Sequence, residues 1–175
     1  MNTETGVIHR RFEHALADLG VSVTRSTPDA FESTLREIVS EPVVGTPLPF
    51  EAVSLPGWVD DAPSPATLRA ATTSVTAASL GIADYGSVVL PSTADGAAQV
   101  SLFTDRHVAV LHSSDLVPDM PTAIGRLGPQ LRDGGSAIVA TGPSATADMG
   151  ALVTGAHGPK AVHVVLLEDG GVADE

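Results

Sequence analysis

The hydrophobic positions at the start of the chain follow the period of a helix. Apolar residues recur at helical spacing between Ile8 and Leu19 and stop at Gly20, a residue type that often ends helices. This pattern predicts an amphipathic helix that begins at about Glu4. Residues 21–25 then alternate between apolar and polar side chains, which predicts a strand.

A second helix and a proline-rich segment follow. Thr27-Pro28 is typical of an N-cap with proline at the first helical position, and apolar residues between 31 and 39 share one helical face before Pro42 ends the segment. The short apolar run 43–45 predicts a strand. Residues 47–65 hold five of the thirteen prolines, so we expect mostly loop there.

From Thr72 onward the pattern changes to that of strands. Short β-prone runs at 74–78, 87–90 and 99–103 are separated by turn residues, with a turn region through Gly81. Three further runs, HVAVL, SAIVAT and AVHVVLL, are nearly continuous in β-branched and aliphatic residues, which is typical of strands covered on both faces. These runs indicate a buried, mostly parallel sheet.

A helix is predicted between the first two of these runs, from about Pro118 to Leu131, with its second half weakened by two glycines and a proline. The fold class is therefore α/β, with a mostly parallel central sheet and flanking helices. The length of 175 residues fits a single domain over 1–175. Within this domain, we expect a helix–strand–helix and the proline-rich loop over residues 1–71, and the core sheet with the motif loops over residues 72–169.

The charge balance changes the set of plausible partners. The chain has 21 acidic and 9 basic residues, a formal net charge of -12, and Lys160 is its single lysine. Such a field repels phosphate backbones, so we expect no nucleic-acid partner. An acidic surface nearly without lysine also fits a salt-rich, halophilic cytoplasm, although an ordinary acidic surface remains an alternative. With no long apolar span and no secretory signal, a cytoplasmic protein is expected.

The absence of cysteine limits the chemistry of these 175 residues. Without cysteine there is no thiol nucleophile and no cysteine ligand for zinc or an iron–sulfur cluster, so any redox centre must belong to a partner. The six histidines lack metal-ligand spacing, and His107, His112 and His163, in or beside apolar strands, are interpreted as structural. We expect no metal site. The motifs of dinucleotide-binding proteins, P-loops and serine hydrolases are also missing.

Two glycine–proline turns carry the candidate chemistry. TGPSATAD (141–148) follows the predicted strand 137–140, and ligands in such sheets bind at the carboxyl ends of strands. Ser144 or Thr146 would cap a following helix, and the amides around 142–145 would form an anion-binding concavity. Asp148 would orient the loop or act as an acid or base. The plain alternative is that the two hydroxyls cap a helix and nothing more.

The second turn, GAHGPK (155–160), contributes a histidine and the lysine. If the two turns share an edge of the sheet, His157 and Lys160 lie near the first turn. A single histidine in a loop is more often structural than catalytic, and that alternative stays open.

These segments resemble the LUD-domain family, of the lactate utilisation protein C type. The resemblance rests on GIADYGSVVL (81–90), RHVAVLHSSDLVPDM (106–120) and above all TGPSATAD followed by GAHGPKAVHVVLLED, and it covers about 74–169. It implies a fold similar to the NagB/RpiA/CoA transferase-like class. It also implies an accessory role beside iron–sulfur subunits that oxidise L-lactate to pyruvate, with the clusters on those partners.

The family pattern A-E-T-G-T reads A-D-Y-G-S here, at 83–87. Asp84 keeps the carboxylate in shortened form, and Tyr85 replaces a small threonine. The catalytic candidates are Asp84, His157 and Asp148. The candidate ligand-binding residues are Gly86, Ser87, Thr141, Gly142, Ser144, Thr146, Gly158 and Lys160. We expect Asp84, Gly86, Ser144, Thr146, Asp148 and His157 to line one cleft at the carboxyl edge of the sheet.

Two other functions stay open beside the accessory subunit. One is a stand-alone enzyme on an acyl-CoA or sugar-phosphate-like substrate, with Asp84 as nucleophile or base and the first turn holding the anion. The other is a non-catalytic module that binds a small carboxylate.

Overall fold

The computed structural model describes residues 3–148 and 151–169. The helices are α1 (Thr3–Asp18), α2 (Phe31–Ile38), α3 (Pro65–Ala70), α4 (Ala97–Phe103) and α5 (Met120–Arg132). The strands are β1 (Ser22–Ser26), β2 (Val43–Gly45), β3 (Thr73–Ala77), β4 (Leu80–Ile82), β5 (Ser87–Pro91), β6 (Arg106–His112), β7 (Leu116–Val117), β8 (Ala137–Thr141), β9 (Ala145–Asp148), β10 (Ala151–Thr154) and β11 (Ala161–Leu167).

The central sheet has five strands, all parallel, in the order β1-β11-β6-β3-β2. Strand β11 lies between β1 and β6, with Val164 opposite Ala109 of β6. Both β6 and β11 are buried along most of their length, as their nearly continuous apolar sequences predict. The predicted α/β class with a mostly parallel central sheet and flanking helices is confirmed.

A second sheet, which the sequence pattern did not predict, holds four strands in the order β7-β4-β5-β8. Strand β5 runs antiparallel to both β4 and β8. The region around Gly81, predicted as a turn, is strand β4. Strand β8 is an edge strand with half-exposed residues, so the prediction that SAIVAT is covered on both faces is wrong.

Three apolar clusters hold the layers together. The first lies between the two sheets and includes Phe12 and Leu16 of α1 together with residues of β5, β6 and β11. The second covers the other face of the central sheet, where Phe31 and Leu35 of α2 pack with the proline-rich loop. The third joins the second sheet to α5 through Leu127. Burial of these side chains is the main source of stability.

Two predictions, one of a strand and one of a weak point in a helix, need correction. Residues 99–103, predicted as a strand, belong to helix α4, because its buried residues follow helical rather than alternating spacing. The buried residues are Ala97, Ala98, Val100 and Ser101. Helix α5 also continues through Pro129, which the sequence pattern predicted as a weak point. The carbonyl of Gly125, which loses its helical partner there, lies on the exposed face and can bond to water.

The starts of α2 and α5 differ in their capping. Residues Pro28–Ala30 form a short 3-10 turn before α2, and the side chain of Thr27 makes no capping hydrogen bond. At α5, the Asp119 carboxylate accepts a hydrogen bond from the Thr122 amide at 2.8 Å, and hydrogen bonding to Thr122 lowers the pKa of Asp119. Among the helices of the described residues, none is long and apolar enough to cross a membrane.

Candidate functional site

The Gly142-Pro143 turn and the Gly158-Pro159 turn lie against each other. The Ser144 amide donates a hydrogen bond to the Pro159 carbonyl at 2.9 Å, and the Gly155 amide donates to the Ser144 carbonyl at 2.8 Å. Gly158 also packs closely on this residue, since a Cβ at Gly158 would lie 3.1 Å from the Ser144 Cβ. The structure therefore brings the two turns together through the backbone of Ser144.

No helix follows the Gly142-Pro143 turn, contrary to the sequence prediction. Strand β9 begins at Ala145 and pairs antiparallel with β10, with Thr146 opposite Val153. Ser144 and Thr146 therefore cap no helix, and the predicted anion site cannot draw on a helix N-terminus. The Ser144 amide is also occupied, because it donates to the Pro159 carbonyl. The backbone groups of this segment pair within a hairpin, which replaces the predicted helix.

A cavity of about 420 Å³, here called the intersheet cavity, lies beside the two turns and between the two sheets. Aliphatic side chains from α1 and from both sheets form most of its wall, and polar groups come from the turns, α4 and β6. The predicted site residues that line it are Gly86, Thr141, Gly142, Ser144 and His157.

The intersheet cavity lies near the amino ends of the parallel strands, and not at their carboxyl edge as predicted. His107 and Val162, which line it, are the second residues of β6 and β11, and Val21 immediately precedes β1. The prediction failed because Thr141 ends β8, which belongs to the second sheet and runs antiparallel to β5. The end of β8 therefore does not mark the carboxyl edge of the central sheet.

Gly86 and Ser87, at the start of β5, contact α1 and β8 beside the cavity. Gly86 has a φ of +61°, and a Cβ there would lie 2.9 Å from backbone atoms of Ala15 and Leu16 in α1. The Ser87 Oγ lies 2.7 Å from the Thr141 Oγ1, which ties β5 to β8 by a side-chain hydrogen bond. Thr141 lines the cavity, whereas Ser87 is buried behind it.

The other predicted site residues lie outside the cavity lining. Asp84 forms an ion pair with Arg11 of α1, and the Lys160 Nζ lies 2.9 Å from an Asp105 carboxylate oxygen at the surface. Thr146 lies in the hairpin, and Gly158 contacts Ser144 without lining the cavity. The side chain of Asp148 lies outside the described part of the structure, so its role stays a prediction.

His107 lines the intersheet cavity, although the sequence pattern indicated a structural role. Its side chain is almost fully buried, and its Nε2 lies 2.9 Å from the Thr76 Oγ1. Burial lowers the pKa of His107 to about 4, so the ring is neutral near pH 7. The sequence feature that could have identified His107 as a cavity residue is its polar ring at the start of an otherwise aliphatic strand, HVAVL.

A second cavity, of about 400 Å³, lies at the carboxyl ends of β1, β6 and β11. There the His112 Nε2 lies 3.1 Å from an Asp169 carboxylate oxygen, Glu51 adds further negative charge, and Glu168 is paired with Arg25. This acidic lining disfavours anionic ligands. Over residues 3–148 and 151–169, no group of three or more His, Cys, Asp or Glu side chains is arranged to hold a metal ion.

Comparison with known proteins finds the LUD domain over residues 66–167. Two relatives are called lactate utilization protein C. The one from Bacillus licheniformis is 36% identical over 100 residues, and the one from Bacillus velezensis is 33% identical over the same length. Each match covers 54% of this chain but only 42% of the relative, so the chain matches less than half of their length.

A solved structure shows the same fold over nearly the whole chain. The crystal structure of a DUF162 family protein from Deinococcus radiodurans superposes with a TM-score of 0.65, covering 93% of this chain and 98% of that one at 20% identity. The likeness to the NagB/RpiA/CoA transferase-like class stays a prediction. The matched segment 66–167 includes both turns and exceeds half of the chain, and the protein therefore belongs to the LUD domain family.

Proposed function

We propose that this protein takes part in lactate utilisation, as an accessory subunit of a complex that oxidises L-lactate to pyruvate. The observation that carries the proposal is the match of 100 residues to two relatives named lactate utilization protein C. Family membership over 66–167 supports it further, because this segment contains the two turns and most of the residues that line the intersheet cavity.

The proposed complex includes partner subunits that carry iron–sulfur clusters. Oxidation of a 2-hydroxy acid removes two electrons and two protons, and the electrons need an acceptor that proteins supply as a cofactor. These 175 residues contain no cysteine, the usual ligand of iron–sulfur clusters. A cluster that accepts electrons from lactate would therefore be held outside these residues, and we propose that partner subunits hold it.

The intersheet cavity is the proposed working site of this subunit. Of the catalytic candidates His157 and Asp84, His157 lies in the lining and Asp84 does not, which supports His157 over Asp84. The ion pair with Arg11 and the position outside the lining speak against Asp84 as a nucleophile. This argues against the alternative of a stand-alone enzyme on an acyl-CoA or sugar-phosphate-like substrate, because that alternative needs Asp84 as nucleophile or base.

Deletion of the gene in the organism that carries it tests this proposal. We expect the deletion strain to grow normally on pyruvate and poorly on L-lactate, with growth restored by the wild-type gene. Purification of a tagged protein at high salt should recover cysteine-rich iron–sulfur subunits from the cytoplasmic fraction. Normal growth of the deletion strain on L-lactate would overturn the role, and recovery of the protein alone would overturn the complex.

A further inference from the structure

The intersheet cavity offers a ligand almost no charge. Among the described residues that line it, none is Asp, Glu, Lys or Arg. Lys160, the lysine predicted to bind a ligand, is paired with Asp105 and lies outside the lining. The Ser144 amide is also committed to the Pro159 carbonyl. A carboxylate buried here would lose its hydration without gaining a lysine or arginine partner, which is unfavourable.

The size and walls of the cavity favour a larger and more apolar molecule than lactate. Its volume of about 420 Å³ lies within the range of sites that hold small organic ligands. Val88 and Leu90 of β5, Ile138 of β8, and Val162 and Val164 of β11 form its aliphatic walls. Burial of an apolar ring or chain against such walls is favourable because it removes apolar surface from water.

Among the polar residues that line the cavity, His107 has a ring nitrogen with no hydrogen-bond partner among the described residues. Among the described residues, the ring of His107 makes one hydrogen bond, between its Nε2 and the Thr76 hydroxyl, which leaves Nδ1 for a ligand. A neutral imidazole has one donor and one acceptor nitrogen, and a hydroxyl can take either role. The pair can therefore present Nδ1 as a donor to a carbonyl or as an acceptor from a hydroxyl.

We propose that the intersheet cavity binds an uncharged molecule with an apolar body and one carbonyl or hydroxyl group that hydrogen-bonds His107. The proposal rests on the proposed function only in taking this cavity as the working site. It separates the cavity ligand from free L-lactate, whose carboxylate finds no lysine or arginine in the described lining. The formal charge of -12 acts in the same direction, since it repels anions from the whole molecule.

Binding of matched two-ring probes to the purified chain tests the charge preference. We expect 2-naphthol to bind and raise the melting temperature, and 2-naphthoate, which has the same ring system and a carboxylate, to bind at least tenfold more weakly at pH 7. L-Lactate should give no shift. Equal or tighter binding of 2-naphthoate or L-lactate would overturn the proposal in favour of a carboxylate site, and absence of 2-naphthol binding would overturn it outright.

Two substitutions locate the probe in the cavity. Ala140→Leu adds volume at a lining position of β8 and should weaken 2-naphthol binding at least tenfold, whereas Ala151→Leu, the same change on the exposed strand β10, should not. His107→Leu should weaken 2-naphthol but not naphthalene, which has no polar group. If His107→Leu fails to fold, Ala140→Leu still decides, and unchanged binding to it would overturn the assignment.

The two proposals fail separately. Probe binding together with normal growth of the deletion strain on L-lactate would retain the cavity ligand and remove the role in lactate utilisation. The reverse result would retain that role and remove the cavity ligand.

Discussion

Replacing Gly86 by alanine should destabilise the protein through two separable effects. The first is backbone strain, because Gly86 has a φ of +61°, a conformation that L-residues with a side chain rarely adopt. The second is a steric clash, because the new Cβ would lie 2.9 Å from the backbone of Ala15 and Leu16. A backbone neighbour cannot move aside as the end of a flexible side chain can, so α1 itself would have to shift.

The two effects can be given magnitudes. The left-handed conformation costs an alanine about 1 to 2 kcal/mol relative to glycine. Forcing extra volume into a packed contact costs about 1 to 3 kcal/mol. The free energy of unfolding should therefore fall by about 2 to 5 kcal/mol. In a chain of this length, such a loss lowers the melting temperature by about 4 to 20 °C.

Two matched glycines separate strain from clash. Gly20 has a φ of +69° and no neighbouring atom within 4 Å of the point where an added Cβ would lie, so Gly20→Ala should show the strain alone, about 1 to 2 kcal/mol. Gly57 has neither a positive φ nor a close atom, and Gly57→Ala should change stability by less than about 0.5 kcal/mol. Urea unfolding followed by circular dichroism measures all three. If Gly86→Ala costs no more than Gly20→Ala, the close contact with α1 is refuted.

Three further predictions concern charge. Between pH 6.5, the ordinary pKa of histidine, and about 4, the pKa of His107 in the folded chain, the unfolded chain protonates His107 and the folded chain does not. As pH falls through this window, the free energy of unfolding of the wild type should therefore fall by about 3 kcal/mol more than that of His107→Gln. Urea unfolding measures both, and parallel pH curves would contradict the prediction. Asp84→Asn removes an ion pair whose side chains are 55% and 26% exposed, so it should cost less than about 1 kcal/mol and leave the 2-naphthol dissociation constant unchanged; a tenfold change would return Asp84 to the site. Raising KCl from about 0.1 M to about 1 M, which shortens the screening length from about 10 to about 3 Å, should raise the melting temperature because 21 acidic residues repel one another, and a flat or falling curve would argue against a salt-adapted surface.

The sequence predicts the central sheet well because burial leaves a strong local pattern. Strands β6 and β11 are buried on both faces, and their nearly continuous aliphatic residues identify them without knowledge of the rest of the chain. Helix α1 is equally clear from its apolar face, which ends at Gly20. In these elements, local preference and tertiary packing agree.

The errors fall where tertiary partners decide the conformation. Val100 and Leu102 alternate as a strand would, but the buried residues of α4 follow a helical spacing that only packing reveals. Similarly, the TGPSATAD segment could start a helix or a hairpin, and its pairing with β10 selects the hairpin. The assignment of β8 to a second sheet is a long-range property, and the location of the intersheet cavity depends on it. The position of His107 in the cavity lining is also a long-range property, because the other lining residues come from distant segments.

The pairing of β1 with β11 has a consequence for anyone who shortens this chain to its family-matched part. Residues 66–167 lack β1, which registers with five consecutive positions of β11, and β2, which covers the outer side of β3. They also lack Phe12, Leu16, Phe31 and Leu35, all almost fully buried. A fragment beginning at residue 66 would therefore leave β11 and β3 as unpaired edge strands and expose apolar side chains of the first two clusters to water. It should self-associate instead of folding.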